Sequence, residues 1–263
     1  LAGLPFEVTS VQKKKGTESP RQLYDLTSLQ VDCNKKFGFS AEMTLNLIQS
    51  LYEHKYTTYP RVDTQYLSDD IYPKCPQILN GVFQVKVAGK APYAELVKPL
   101  GGAQLRKSKR VFDSSKVTDH HAIIPTAEFA KQGFTGLAES ECKLMNLVCS
   151  KLLCAVAIPH EYETVTAVFS CAGNEFTAKG KTVLVPGWKE IDQRFRSTLK
   201  ADTEEEVLNT LPELAEGQSF SVTANVSEHF TSPPKAYTED ICCERGIRTV
   251  SYTHLRAHET PEH

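Results

Sequence analysis

The sequence contains no apolar run long enough to span a bilayer, and its N-terminus carries no positively charged, then apolar leader. Cytoplasmic residence is the expectation. No Cys-x-x-Cys pair exists among the 8 cysteines. Cys33, Cys75, Cys142, Cys149, Cys154 and Cys171 are instead scattered among apolar residues, a pattern of buried free thiols in a reducing compartment rather than of disulfides or zinc. The vicinal pair Cys242-Cys243 carries no assignment. A leading methionine is missing too: the chain starts at Leu1, as expected of a piece cut from a longer protein. What is present is globular in kind, 263 residues with 40% hydrophobic and 24% charged, enough for one large or two ordinary domains.

The formal net charge of -2 hides an asymmetry. Residues 1–126 hold 17 Lys and Arg against 12 Asp and Glu, a balance of +5, whereas the remainder holds 13 against 20, a balance of −7. One half is therefore suited to face phosphate and the other to act as a solvated scaffold. The basic half includes Lys98, Arg106, Lys107, Lys109, Arg110 and Lys116, among which Asp113 is the single acid. A run of this kind is usually just solvated; with the Lys116–Thr126 motif at its end, it resembles an arm that positions a phosphate backbone rather than reading bases.

Within that half lies Tyr56-Thr57-Thr58-Tyr59-Pro60-Arg61-Val62-Asp63-Thr64. Pro60 pushes Tyr59 out of the helical region. In extended chain, alternate side chains share a face, so Tyr59, Arg61 and Asp63 fall on one side and Pro60 and Val62 on the other. A phenol beside a guanidinium suits chemistry on a phosphate. Free tyrosine, with a pKa of about 10, is only about one part in a thousand ionised at neutral pH. A neighbouring cation such as Arg61 lowers that cost and holds the developing charge. Taken alone, an aromatic next to proline is more often a packing residue.

The longer stretch Gln49-Ser50-Leu51-Tyr52-Glu53, followed after three residues by Thr57-Thr58-Tyr59-Pro60-Arg61-Val62-Asp63, resembles the active-site signature of type IA DNA topoisomerases, especially their topoisomerase III branch. Thr57 departs from the family's usual aliphatic residue and Val62 from its usual serine or threonine, which implies altered DNA contacts rather than lost chemistry. A second motif, Lys116-Val117-Thr118-Asp119-His120-His121-Ala122-Ile123-Ile124-Pro125-Thr126, is similar to the family's histidine motif. A zinc site on His120 and His121 fails for want of spaced partners.

The resemblance implies that Tyr59 attacks single-stranded DNA, becomes linked to a 5′ phosphate and is later displaced by the 3′ hydroxyl, without ATP. It implies Tyr59, Arg61 and His120 as catalytic residues. Asp63, Thr64, Arg106, Lys107, Lys109, Arg110 and Lys116 are implied as contacts to DNA. No metal ligand is assigned: the family's Mg2+ belongs to an N-terminal acidic domain for which this sequence shows no matching carboxylate cluster. A monomer that needs that missing domain of the same protein, and an incomplete fragment not active alone, are expected. The alternative is a non-enzymatic winged-helix-like DNA-binding module in which Tyr59 merely packs.

The fold class expected is α+β, a helical, winged-helix-like tyrosine domain followed by an antiparallel β arch domain. Phe6–Gln12 alternates like a strand that Lys13-Lys14-Lys15-Gly16 should break. Thr27-Ser28-Leu29-Gln30 has capping-box spacing for a helix to Phe37 that stops at Gly38, and Ser40 can cap a second helix. Leu137–Ala157 has the period of a core helix. Thr164–Cys171, Glu175–Val185 and Gln218–Phe230 read as antiparallel strands, the first two joined at Ala172-Gly173-Asn174. Glu204-Glu205-Glu206 is a solvated linker run. The expected domains are 1–19 (the end of a preceding arch strand), 20–145 (tyrosine domain) and 146–240 (arch). The tail, 241–263, departs from the family pattern and resembles translated adapter sequence.

Overall fold

In the first helix, α1 (Leu26–Phe37), the Asp25 carboxylate accepts from Ser28 N at 2.7 Å while Ser28 Oγ accepts from Asp25 N at 3.2 Å, a reciprocal cap. The cap expected at Thr27 thus lies two residues earlier, because Asp25 offers a charged acceptor that also receives Gln65 Nε2 at 3.0 Å. Gly38 ends the helix at φ 69°, a left-handed position that glycine adopts without strain. Ser40 then caps α2 (Ala41–Glu53), its Oγ accepting from Met43 N at 3.0 Å. Thr44, Ile48 and Leu51 form the buried stripe of α2.

This chain is described by a computed structural model over residues 3–85, 107–198, 210–221 and 228–233. It divides into two compact units: Leu1–Ser19, Pro159–Gly187 and Asp202–Pro234 form one, and Pro20–Ile158, Trp188–Ala201 and Lys235–His263 the other. The second unit is helical. Besides α1 and α2 it holds α3 (Cys75–Gln84), α4 (Ala127–Gln132), α5 (Glu139–Val156) and α6 (Trp188–Thr198), with short 3₁₀ turns at Asp69–Lys74 and Ser114–Lys116.

The core of this unit runs from Leu29 and Ile48 through Leu67 and Ile123 to Leu144, Met145 and Leu152, all 1% exposed or less. The periodicity of α5 is borne out, and the helix runs unbroken across position 145, inside the one unit. Glu141 fastens it to α2 by accepting from Ser50 Oγ at 2.7 Å. A partly buried polar cluster sits deeper: Tyr24 Oη donates to Asp32 Oδ2 at 2.5 Å, and Lys151 Nζ lies 3.7 Å from the same oxygen.

The other unit is a four-stranded antiparallel sheet in the order β3-β2-β1-β4, made of β1 (Pro5–Glu18), β2 (His160–Cys171), β3 (Asn174–Val185) and β4 (Ser219–Ser221). β2 and β3 meet at the expected turn. β1, however, continues straight through Lys13-Lys14-Lys15-Gly16, because each of these residues has a partner on β2, from Lys13 opposite Val165 to Gly16 opposite Tyr162. Pairing across the ladder overrides the local break signal. The strand expected over Gln218–Phe230 is a ladder only at Ser219–Ser221, and residues 222–227 lie outside the described residues, as do Arg106, Glu204-Glu205-Glu206 and the 241–263 tail. Among the described residues, no helix is long and apolar enough to cross a membrane.

Candidate active site

After a turn at His54–Lys55 the chain to Leu67 enters no helix or ladder, and its position is fixed by two single bridges, Thr57 to Pro125 and Leu67 to Phe112. Thr58 does most of the joining. Its backbone N donates to Ile124 O at 3.1 Å, its hydroxyl donates to Ala122 O at 3.1 Å, and the same oxygen accepts from Ile124 N at 3.0 Å. Thr126 closes the other end, its N donating to Tyr56 O at 3.0 Å. The tyrosine and histidine motifs, about sixty residues apart in sequence, are thus one piece of structure.

Alternation along this segment is as the proline predicts. Pro60, Val62 and Thr64 are buried, whereas Arg61 and Asp63 are exposed and Tyr59 is half-buried. Tyr59 is held from two sides: the ring of Tyr52 meets it edge-on at 5.5 Å, and the imidazole of His120 lies 4.5 Å away at 38°. These rings sit at an open cleft of about 280 Å³ lined by Thr58, Tyr59, Ser68, Ser114, Val117, Thr118, Asp119, His120 and His121. The neighbouring His121 is turned inward, its Nδ1–H donating to Ala122 O at 2.8 Å. His120 is therefore the exposed imidazole of the pair, and it is the one beside the tyrosine.

Of the residues expected at the site, Tyr59 and His120 are brought together. Arg61 and Asp63 are exposed and make no ion pair among the described residues. Lys109 and Arg110 are exposed at a turn before Val111. Lys107 pairs with Asp69 at 2.5 Å and stands 5.5 Å over the ring of Tyr72, so its charge already has a protein partner. Thr64 does not face outward: it is 8% exposed, and its hydroxyl donates to Lys116 O at 2.7 Å and accepts from Tyr66 N at 3.3 Å. It is a structural brace, and expecting it on the DNA side ignored that it falls on the buried parity of Pro60 and Val62. Lys116 is exposed and donates to Tyr66 Oη at 3.1 Å.

Two contributors escaped the sequence reading. Tyr52, near the end of α2, is 38% exposed and packs against Tyr59; its spacing of seven residues from Tyr59 was the available signal. Thr58 gave none, because its partners lie on a distant segment.

No group of three or more His, Cys, Asp or Glu side chains among the described residues is placed to hold a metal ion, so the residues present do not fit the Mg2+ that the resemblance implies. The thiols are inert in character: burial pushes those of Cys33, Cys75 and Cys154 up to about 12.

Comparison with known proteins agrees with this geometry. A family model described as DNA topoisomerase matches residues 2–241. DNA topoisomerase 3 of Bacillus licheniformis is 40% identical over 241 residues, covering 91% of this chain and 32% of the relative. The Bacillus subtilis protein of the same name is 37% identical over 242 residues, with the same coverage of 91% and 32%. The chain spans about a third of the length of the relatives it matches. Its fold is similar to the full-length topoisomerase I of Thermotoga maritima, with a TM-score of 0.63 and 21% identity over 93% of this chain and 38% of that one. A matched family model over nearly the whole sequence, with both motifs converging on one cleft, places the chain in the type IA DNA topoisomerase family, on its topoisomerase 3 side.

Proposed function

We propose that this chain is the portion of a topoisomerase 3-like enzyme that supplies the nucleophile, and that Tyr59 cuts and rejoins single-stranded DNA. The observation that carries the reading is the meeting of Tyr59 and His120, rings 4.5 Å apart, in the wall of an open cleft. In the reaction, Tyr59 Oη attacks a backbone phosphorus, the P–O3′ bond breaks, and the phenol's proton ends on the departing 3′ oxygen. The product is a 5′-phosphotyrosine and a free 3′ hydroxyl. Resealing is the reverse, with the bond energy kept in the phosphotyrosine, so no nucleotide is consumed.

The residues divide the remaining work. The imidazole of His120 donates to a phosphate oxygen, and the exposed guanidinium of Arg61 balances the charge that accumulates on the phosphoryl group. Asp63, Lys109, Arg110 and Lys116 position the strand by its backbone. The α1–α2 pair with the extended segment after it serves as a winged-helix-like unit, and the sheet as part of an arch. We place any Mg2+ outside the described residues and route no step through it. The working form is a cytoplasmic monomer, and the chain by itself is not active.

The test is to mix the chain with a separately produced magnesium-binding domain of a relative and end-labelled single-stranded DNA. A protein–DNA adduct that survives denaturant and vanishes in Tyr59→Phe is expected, with the variant reduced at least a thousandfold because no other oxygen replaces the nucleophile. If the pieces associate and bind DNA yet no adduct forms, a binding module without chemistry is the better description.

A further inference from the structure

The hydroxyl of Tyr66 lies outside the two motifs, and its surroundings are unusual. Its oxygen accepts from Lys116 Nζ at 3.1 Å. A phenol has two lone pairs and one O–H. Lys116 takes one lone pair, and among the described residues the O–H has no acceptor. Lys116 reaches the ring as well, its ammonium 4.5 Å from the centroid. The charge of Arg110 also acts on this phenol. The acid that faces Lys116 is Asp113, whose Oδ1 already accepts from Ser115 N at 3.2 Å and Ser115 Oγ at 2.6 Å. The Lys116 ammonium in contact, the nearby charge of Arg110 and an O–H without a protein acceptor therefore stand beside one carboxylate with an engaged oxygen.

The backbone carrying these groups is fixed to the cleft. Thr64, buried, ties Lys116 O to Tyr66 N through its hydroxyl, and Ala122 N donates to Tyr66 O at 2.9 Å. Lys116 is followed directly by Val117, Thr118, Asp119 and His120 in the cleft wall. A cluster that offers an O–H, an ammonium and positive charge recognises an acceptor-only anion.

We infer that Tyr66, Lys116 and Arg110 form a subsite for one backbone phosphodiester of a strand lying in the Tyr59 cleft, with the Tyr66 O–H as its aimed donor. The inference rests on the reading of that cleft as a nucleic-acid site. Tyr66 is a positioning residue here: it sets where the strand lies, and Tyr59 does the chemistry.

The experiment measures binding of a fluorescent oligothymidylate to the full chain by anisotropy across a salt series. Tyr66→Phe is expected to weaken binding about three- to tenfold while leaving the salt slope unchanged, since a hydrogen bond is lost and no charge is. Lys116→Gln is expected to weaken it about tenfold and to flatten the slope of log K against log salt by about 0.7. On an oligothymidylate with methylphosphonate linkages, which lack the charge and keep a single phosphoryl acceptor, the Lys116→Gln difference is expected to disappear and the Tyr66→Phe difference to shrink. Parent-like binding by both variants overturns the inference, and with it the backbone role of Lys116, and leaves the proposed chemistry of Tyr59 standing. Equal losses on phosphate and methylphosphonate strands also overturn it, because Tyr66 then stacks on a base or only supports the fold. Failure of the unaltered chain to bind any strand overturns both readings together.

Discussion

The helical unit and the sheet unit stand on different balances of burial and pairing. In the first, Leu29, Ile48, Leu51, Leu67, Leu144 and Leu152 have no exposed surface. In the second, Val8, Ala167 and Cys171 are the buried apolar side chains among the described residues, and continuity comes from the long register of β1 on β2 and β2 on β3. Close packing resists small displacements, whereas a ladder tolerates changes on its faces so long as its backbone bonds persist. The cleft with Tyr59 belongs to the packed unit, where an irregular extended segment can be held in place by its neighbours. The difference suits the proposed roles, Tyr59 as a nucleophile that has to be positioned and the sheet as a scaffold that has only to persist.

Alkaline solution offers the largest test of that contrast. Burial raises the thiols of Cys33, Cys75 and Cys154, all in the helical unit, from 9.0 to about 12. A group whose folded pKa is raised contributes stability that is complete below its unfolded value and is lost as pH climbs towards the folded one. Between pH 8 and pH 10 the three together should cost about 4 kcal/mol, a little over 1 kcal/mol each. Tyr24, also held protonated by burial, adds to the loss at higher pH, while Lys151, whose ammonium burial disfavours, offsets part of it. Denaturant midpoints at the two pH values measure this, and a flat profile would mean that the core admits solvent.

Two glycines sharpen the comparison further. A Cβ on Gly81 of α3 would meet the Cβ of Ala130 on α4 at 1.9 Å and its Cα at 3.1 Å, whereas one on Gly16 of β1 would meet only the outer ring atoms of Tyr162, at 2.6–2.8 Å. Gly81→Ala should cost about 3 kcal/mol, since two helix backbones have to part. Gly16→Ala should cost about 1 kcal/mol, since a ring can swing aside. Equal losses in chemical denaturation would erase the distinction between the units.

The smallest expected effect has the opposite sign. Thr57 is 2% exposed and its hydroxyl has no hydrogen-bond partner among the described residues. Thr57→Val keeps the shape, removes the unpaired oxygen, and restores the aliphatic character usual at this position. It should stabilise the chain by about 1 kcal/mol in the same assay. A loss would show that the hydroxyl has work to do.

What the sequence disclosed was local. Proline at 60 and the period of two put Tyr59, Arg61 and Asp63 on one side, and Ser40, Gly38 and the apolar spacing of α5 marked helix ends and core. What it concealed depends on residues far away in the chain. The lysines at 13–15 look like a strand end until β2 is laid beside them. Lys107 looks like a free cation until Asp69 reaches it, and Thr64 looks available until Lys116 and Tyr66 claim its hydroxyl. The pairing of Tyr59 with His120 was legible only as two motifs in order, because no local preference brings position 58 to positions 122 and 124.

That junction at Thr58 also has a mechanical side. In the proposed reaction a DNA strand is covalently attached to Tyr59, so tension on the strand is delivered to a peptide unit one residue from Thr58. Three hydrogen bonds from that single threonine, two of them through its hydroxyl, share the pull and pass it to the segment that carries His120. Nucleophile and imidazole therefore move together under load, and a strand tugged in the broken state drags its own resealing machinery along with it.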